Sequence, residues 1–346
     1  MLFVHRRRVH LPTILARVVD ARPPVVYVFG DGPGTDEEDP RRCAEVRELI
    51  EDASWPCPVK TRFATTRLGL NRNVVEGIND VFAHHERAIF LEDDAVPARS
   101  FFGFCDELLE YFAGDPDVAM ISGVNPLDHW GDGSADYLFS TLGQAHAWAG
   151  WRRGWSGFAG ALERWQDRAI QERIGELVGD EEIFAARRRL YDSLTRPDVY
   201  SWDYQWALAR QAEGGLCVVP TKNLALHRGH DKLAGHVSRR VLLARLATLH
   251  EIDSSLRHAK DRAPDRTYDR LVFELGHDRL SPTSARHVAD RLVERDRRLL
   301  AVAVLRHACA GAQPDAVTAA LIRQLLQEQT TGEVSPKESA TAADGL

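Results

Sequence analysis

Three adjacent carboxylates, Glu92-Asp93-Asp94, follow directly on the apolar run Ala88-Ile89-Phe90-Leu91. At the tip of a buried strand such neighbours repel one another, and a divalent cation that also grips substrate phosphates supplies the missing positive charge. Acids that merely face water are the competing reading. A further acid, Asp203, stands among aromatic residues in Ser201-Trp202-Asp203-Tyr204-Gln205-Trp206. There it can take a proton from a hydroxyl or cap a helix. Trp148, Trp151 and Trp155 interleave with Arg152 and Arg153, a composition suited to stacking on a ring and pairing with phosphate. The same three- and four-residue spacing is also what an amphipathic helix buries. Asp31, in Gly30-Asp31-Gly32-Pro33-Gly34, either faces a ligand or makes the turn.

The elements expected to carry these residues alternate. Pro24 to Phe29 reads as a buried strand feeding the Gly30–Gly34 turn, with helical spacing before it at His10 to Val19 and after it at Pro40 to Ile50. Val59 to Phe63 reads as a strand, Asn73 to His84 as a helix, Ala88 to Leu91 as a strand, Ser100 to Phe112 as a helix and Val118 to Ser122 as a strand. Such alternation predicts a mostly parallel, doubly wound sheet that binds ligands at the carboxyl ends of its strands. From about Ser238 the pattern changes to helices rich in Arg, Ala and Leu, at Arg240 to Leu249, Ser284 to Ala308 and Ala316 to Gln327. Beyond Glu328 the chain carries almost no large apolar group, so a disordered tail is expected.

Composition narrows the classes. The 346 residues are 44% hydrophobic and 27% charged, enough to bury a core across one large domain and an extension. A net charge of -7 argues against a nucleic-acid partner. Arg6-Arg7-Arg8 is a local basic cluster with no secretory h-region behind it, and no apolar run reaches spanning length. Five scattered cysteines, without a CxxC pair, fit a reducing cytoplasm, and Cys105 reads as a core residue.

An ordered set of segments carries a resemblance. Tyr27 to Gly34 (YVFGDGPG), Trp55 to Val59, Gly69 with Asn73, Ile89 to Pro97 (IFLEDDAVP), Ser100 to Leu109 (SFFGFCDELL), Ile121 to Asn125 (ISGVN), Trp148 to Trp155 (WAGWRRGW), Trp202 to Trp206 (WDYQW) and Asn223-Leu224 occur in this order. Together they resemble the GT-A nucleotide-diphospho-sugar transferases, in particular a bacterial group often labelled hemolytic-protein-like, and more distantly the N-acetylglucosaminyltransferase I family. The likeness covers roughly Leu2 to His236.

That resemblance implies an α/β domain of the GT-A, Rossmann-like kind over residues 1–237, a helical extension over 238–328 and a tail over 329–346. It implies a nucleoside-diphosphate sugar as donor and a hydroxyl acceptor. Asp31 would face the base or ribose, Glu92 and Asp93 would flank sugar and ribose, and Asp94 would hold Mn2+ or Mg2+ across the two phosphates. Asp203 matches the segment that supplies the base in inverting relatives. Trp148, Trp151, Arg152 and Trp202 are then candidates for the acceptor side. A closing His after the Asn-Leu pair corresponds to His236, a second metal ligand, with His227 and His230 as competitors. Arg67 stands where the relatives usually carry Asn before Leu-Gly, which puts the donor's identity in doubt and makes Arg72 a candidate phosphate contact, with a plain surface Arg as the alternative. The expected product is a cytoplasmic glycosyltransferase, or one resting on a membrane surface, with C-terminal helices able to form a homodimer. A nucleotide-sugar-binding scaffold without catalysis is the alternative. A nucleotidyltransferase ranks last because the Gly30–Gly34 turn lacks a basic partner.

Overall fold

The computed structural model describes residues 1–228, 247–253, 255–277, 280–294, 297–309 and 315–331. His236 and His230 lie outside them, as do most of the helix expected from Arg240 and the tail from residue 332. The chain divides into two compact units, one of residues 1–238 and 247–270, the other of 239–246 and 271–346. The expected boundary near 237 therefore has an exception. Residues 247–270 belong to the first unit, where Ile252 and Leu256 join the main apolar core and Glu251 accepts the backbone N–H groups of Arg99 and Ser100.

The first unit is built on a mixed, mostly parallel eight-stranded sheet with flanking helices, the α/β class expected. Its early strands are β1 (Leu2–Val4), β2 (Val26–Gly30), β3 (Val59–Phe63), β4 (Arg87–Glu92) and β6 (Val118–Ser122), and its later ones β7 (Tyr137–Ser140), β8 (Ala147–Trp151) and β9 (Leu216–Pro220). The spatial order is β3-β2-β1-β4-β8-β6-β9-β7. Strands β1 to β4 run parallel, β8 is antiparallel to both neighbours, and β7 is antiparallel to β9. A separate antiparallel pair joins β5 (Ala95–Pro97) to β10 (Ala225–His227).

Helices α1 (Leu11–Ala21), α2 (Asp39–Glu51), α3 (Leu70–His84) and α4 (Ser100–Tyr111) connect the early strands. Each has an apolar stripe: Leu11, Ile14, Leu15 and Val18 on α1, and Phe101, Phe104, Cys105, Leu108 and Leu109 on α4. Burying such a stripe against the sheet drives docking, at about 25 cal/mol per Å² of apolar surface removed from water. Cys105 sits in that core as expected, and burial pushes its thiol well up. After β8 come α5 (Arg152–Trp155), α6 (Ala161–Arg164), α7 (Arg168–Val178), α8 (Glu181–Leu194) and α9 (Trp202–Ala212). Asp167 and Asp180 cap α7 and α8 by accepting first-turn N–H groups.

The chain continues through α10 (Arg266–Gly276). The second unit's helices α11 (Pro282–Val293), α12 (Arg298–Ala308) and α13 (Ala316–Thr331) bury Ala285, Val288, Ala289 and Leu292 on α11 and Ala301, Val302, Val304 and Leu305 on α12. The span expected as one helical stretch from Ser284 to Ala308 is thus two helices. No helix among the described residues is long and apolar enough to cross a membrane.

Candidate functional site

Three parallel strands end side by side. Val4 pairs with Gly30 and Phe3 with Glu92, so the residues that leave β1, β2 and β4 emerge along one edge of the sheet. That edge gathers His5 to Arg7, Asp31-Gly32 and Glu92 to Asp94. Two more segments are delivered by pairing distant in sequence. β8 runs back along β4 with Leu91 opposite Ala147, which puts His146 beside Glu92. β10 pairs with β5, Ala95 opposite His227, and the N–H of Arg228 donates to the Asp94 carbonyl at 2.7 Å.

The carboxylates at this tip are held individually. The His5 backbone N–H donates to Asp93 Oδ2 at 2.9 Å. Arg7 pairs through Nη1 with Asp94 Oδ2 and lies 3.9 Å from Asp93 Oδ1. His227 Nε2 is 3.5 Å from the same Asp94 oxygen. His146 Nδ1 is 3.3 Å from Glu92 Oε2, and its ring stacks on His227 with centroids 3.9 Å apart and planes within 12°. Asp94 Oδ1 is buried and has no hydrogen-bond partner among the described residues.

Electrostatics split the two aspartates. Burial, reinforced by the charge of Asp94, pushes the Asp93 carboxyl up, whereas in Asp94 burial is outweighed by His227, Arg7 and His146, which hold its carboxyl down. Such a pair titrates as a unit, with one carboxylate ionised well before the other. His146 is raised: burial opposes its charge, but Glu92, Asp94 and Asp203 together favour it. That influence brings Asp203 into the electrostatic neighbourhood of the tip. Asp203 is the second residue of α9, not its cap; Ser201 holds the cap position and its hydroxyl donates to Asp203 Oδ1.

Asp31 is buried and largely occupied. It accepts backbone N–H groups from Gly32 (2.8 Å) and Leu68 (2.6 Å) on Oδ1 and from Gly69 (3.1 Å) on Oδ2. Its carboxylate fastens the β2 loop to the turn before α3, the turn-making role among its two readings. A Cβ on Gly32 would stand 2.4 Å from the Thr66 backbone, so that close approach requires glycine.

Five candidates take structural places. Trp148 is 1% exposed and stacks on Phe90 at 4.2 Å; it is core, in a strand buried on both faces. Trp151 is also buried, donates its indole N–H to the Leu109 carbonyl and carries the Arg153 guanidinium 4.2 Å over its ring. Because Trp151 pairs with Arg87 at the start of β4, it and Arg152 stand at the opposite end of that strand from Asp94, and Arg152 pairs there with Glu86 at 2.8 Å. Trp202 is buried at the start of α9. Arg72 is an exposed α3 residue bonded to Glu76 at 2.6 Å.

Sequence reasoning passed over Arg7, His5 and His146 and carried His227 only as a competitor of His236, which lies outside the described residues. The signal for Arg7 lay in Leu2-Phe3-Val4, a short strand whose carboxyl end is the Arg6-Arg7-Arg8 run. Those three arginines diverge, Arg6 to Asp39 at 2.6 Å, Arg7 to Asp94 and Arg8 to Glu45 at 3.3 Å.

Among the described residues no group of three or more His, Cys, Asp or Glu side chains has the spacing to enclose a metal. Asp94, through its unsatisfied Oδ1, and His227 offer two donors. That small set fits a cation that draws its remaining ligands from phosphate and water. No protein-family model matches the sequence, and no curated protein matches it.

Proposed function

We propose that this chain is a glycosyltransferase of the GT-A type that moves a sugar from a nucleoside diphosphate to a hydroxyl acceptor with inversion. The observation that carries the reading is the convergence of Glu92, Asp93 and Asp94 with Arg7, His146 and His227 at the carboxyl edge of the sheet, with Asp203 in their field. Ligands of doubly wound sheets bind at that edge, and a buried carboxylate with one unsatisfied oxygen is costly unless a ligand completes it. A divalent cation, Mn2+ or Mg2+, held by Asp94 and His227 would neutralise charge growing on the leaving diphosphate.

The chain's own groups account for the rest. Arg7 brings a guanidinium to the same tip, a charge suited to diphosphate oxygens. Glu92 and Asp93 face the donor's sugar and ribose, with Glu92 oriented by His146. Asp203 takes the proton of the acceptor hydroxyl as its oxygen bonds to the anomeric carbon. The bond from that carbon to the diphosphate breaks on the opposite face, and the diphosphate leaves with the electron pair. The Ser201 hydroxyl, donating to Asp203 Oδ1, orients the carboxylate for that step.

The test is a panel of uridine, guanosine, thymidine and cytidine sugar nucleotides incubated with Mn2+ or Mg2+. Slow, metal-dependent hydrolysis of one donor is expected; neither binding nor turnover with any donor would sink the reading. A second reading, a nucleotide-sugar-binding protein without transfer, draws on the Arg7–Asp94 pair, which already neutralises the acid that the cation needs. Retained donor binding, with transfer undetectable across plausible acceptors and binding unaffected by Asp203→Asn, would favour it.

A further inference from the structure

Five large hydrophobic side chains stand exposed among the described residues, and two of them flank a single polar clamp. Asn71, in the first turn of α3, donates through Nδ2 to the Tyr200 carbonyl at 2.9 Å and accepts the Trp202 backbone N–H on Oδ1 at 3.1 Å. Its carboxamide thus grips both polar groups of an extended stretch of backbone and ties the start of α3 to the start of α9. On either side of this clamp, Leu70 is 59% exposed and Tyr200 48% exposed. Asp203 follows Tyr200 by three residues. On the α3 side, Leu68 and Gly69 are fastened to Asp31 at the end of β2. Both apolar residues therefore sit on backbone held rigidly at the ligand-binding edge, and neither contributes to the core.

Water contact at a Leu and a Tyr is unfavourable, and a half-exposed tyrosine on clamped backbone, with only two side-chain torsions to fix, gives a binding surface at little entropic cost. A pyranose ring offers what such a surface takes: a face of C–H groups for stacking and a rim of hydroxyls, one of which can meet a carboxylate. We infer that Tyr200 and Leu70 form an acceptor platform beside Asp203, and that the acceptor presents a pyranose ring to it. The inference rests on the transferase reading and adds the acceptor's chemical class. Asn71 is a positioning residue that holds Tyr200 in register with Asp203.

Saturation-transfer NMR on the full chain, with Mn2+ and with UDP or GDP, tests it. The probes are methyl β-D-glucopyranoside, methyl β-D-galactopyranoside and methyl N-acetyl-β-D-glucosaminide, with 1-butanol and N-acetylserinamide as non-ring controls. At least one pyranoside is expected to receive saturation at its ring C–H protons. Tyr200→Ala is expected to weaken that binding about tenfold, Tyr200→Phe to retain it, and Leu70→Ser to weaken it severalfold. Nucleotide affinity, read by calorimetry on the same samples, should stay within about twofold in all three variants. Pyranoside binding that ignores both Tyr200→Ala and Leu70→Ser overturns the platform, as does nucleotide binding with no pyranoside bound. Loss of nucleotide binding with Tyr200-dependent pyranoside binding intact would instead overturn the transferase reading and leave a sugar-binding platform.

Discussion

Replacing Arg7 by Met removes the guanidinium from the acid tip while keeping a long apolar stem. The Asp94 side chain is 5% exposed and that of Arg7 21%, so the pair falls between two regimes. Breaking a buried ion pair costs about 3–5 kcal/mol because a charge is left uncompensated, whereas an exposed pair is worth about 0–1 kcal/mol. His227 remains near Asp94 and moderates the loss. The expected cost is therefore about 2–3 kcal/mol, or a fall in Tm of about 5–10 °C for a unit of this size. The sign of the pH dependence follows from Asp94, whose carboxyl is held below its ordinary value. Its stabilisation is present above the unfolded pKa and is lost as pH falls through the folded one, so the gap between wild type and variant should begin to narrow as pH drops below about 4. Thermal melts from pH 3 to 8 measure this. Added Mn2+ should recover part of the loss in the variant and do less for wild type, where Arg7 already neutralises Asp94. A variant within about 0.5 kcal/mol of wild type at pH 7, with no response to Mn2+, would refute the reasoning, because it would mean the pair is fully screened by solvent.

Other outcomes follow from the same contacts. Asp93 is raised by burial, so its ionised form is disfavoured in the fold; the penalty grows as pH rises from the unfolded pKa to the folded one, and Asp93→Asn should raise stability by roughly 1–2 kcal/mol at pH 8.5 with little effect below about pH 4, measured by urea unfolding. Trp148→Ala, emptying a site stacked on Phe90, should cost about 3–5 kcal/mol by the same assay without selectively affecting nucleotide affinity. Asp203→Asn should leave donor binding within about twofold and lower transfer by about 10²–10⁴, read by single-turnover kinetics.

Much of the frame is legible locally, because β2, β3, β4 and β6 are β-branched or apolar runs and α1 to α4 bury single stripes. β1 is not: three residues carry no periodicity, and Leu2 to Val4 become a strand only through pairing with β2 on one side and β4 on the other. β8 misleads for a different reason. A strand buried on both faces shows no alternation, so the tryptophan spacing reads as helical while the structure extends it between β4 and β6. The site divides along the same line. The acid triplet follows its strand directly, but its partners come from register. Ala95 opposite His227 brings that histidine to Asp94, and Leu91 opposite Ala147 brings His146 to Glu92. Nothing in Arg6-Arg7-Arg8 itself says which of three identical side chains turns toward Asp94.

Diffraction at the manganese absorption edge, from a crystal grown with Mn2+ and the nucleoside diphosphate that binds best, tests the central claim most directly. The account predicts an anomalous peak about 2–2.5 Å from an Asp94 carboxylate oxygen and from His227 Nε2, bridged to both phosphates. A nucleotide bound away from the carboxyl ends of β1 and β4, with no peak at Asp94, would contradict it.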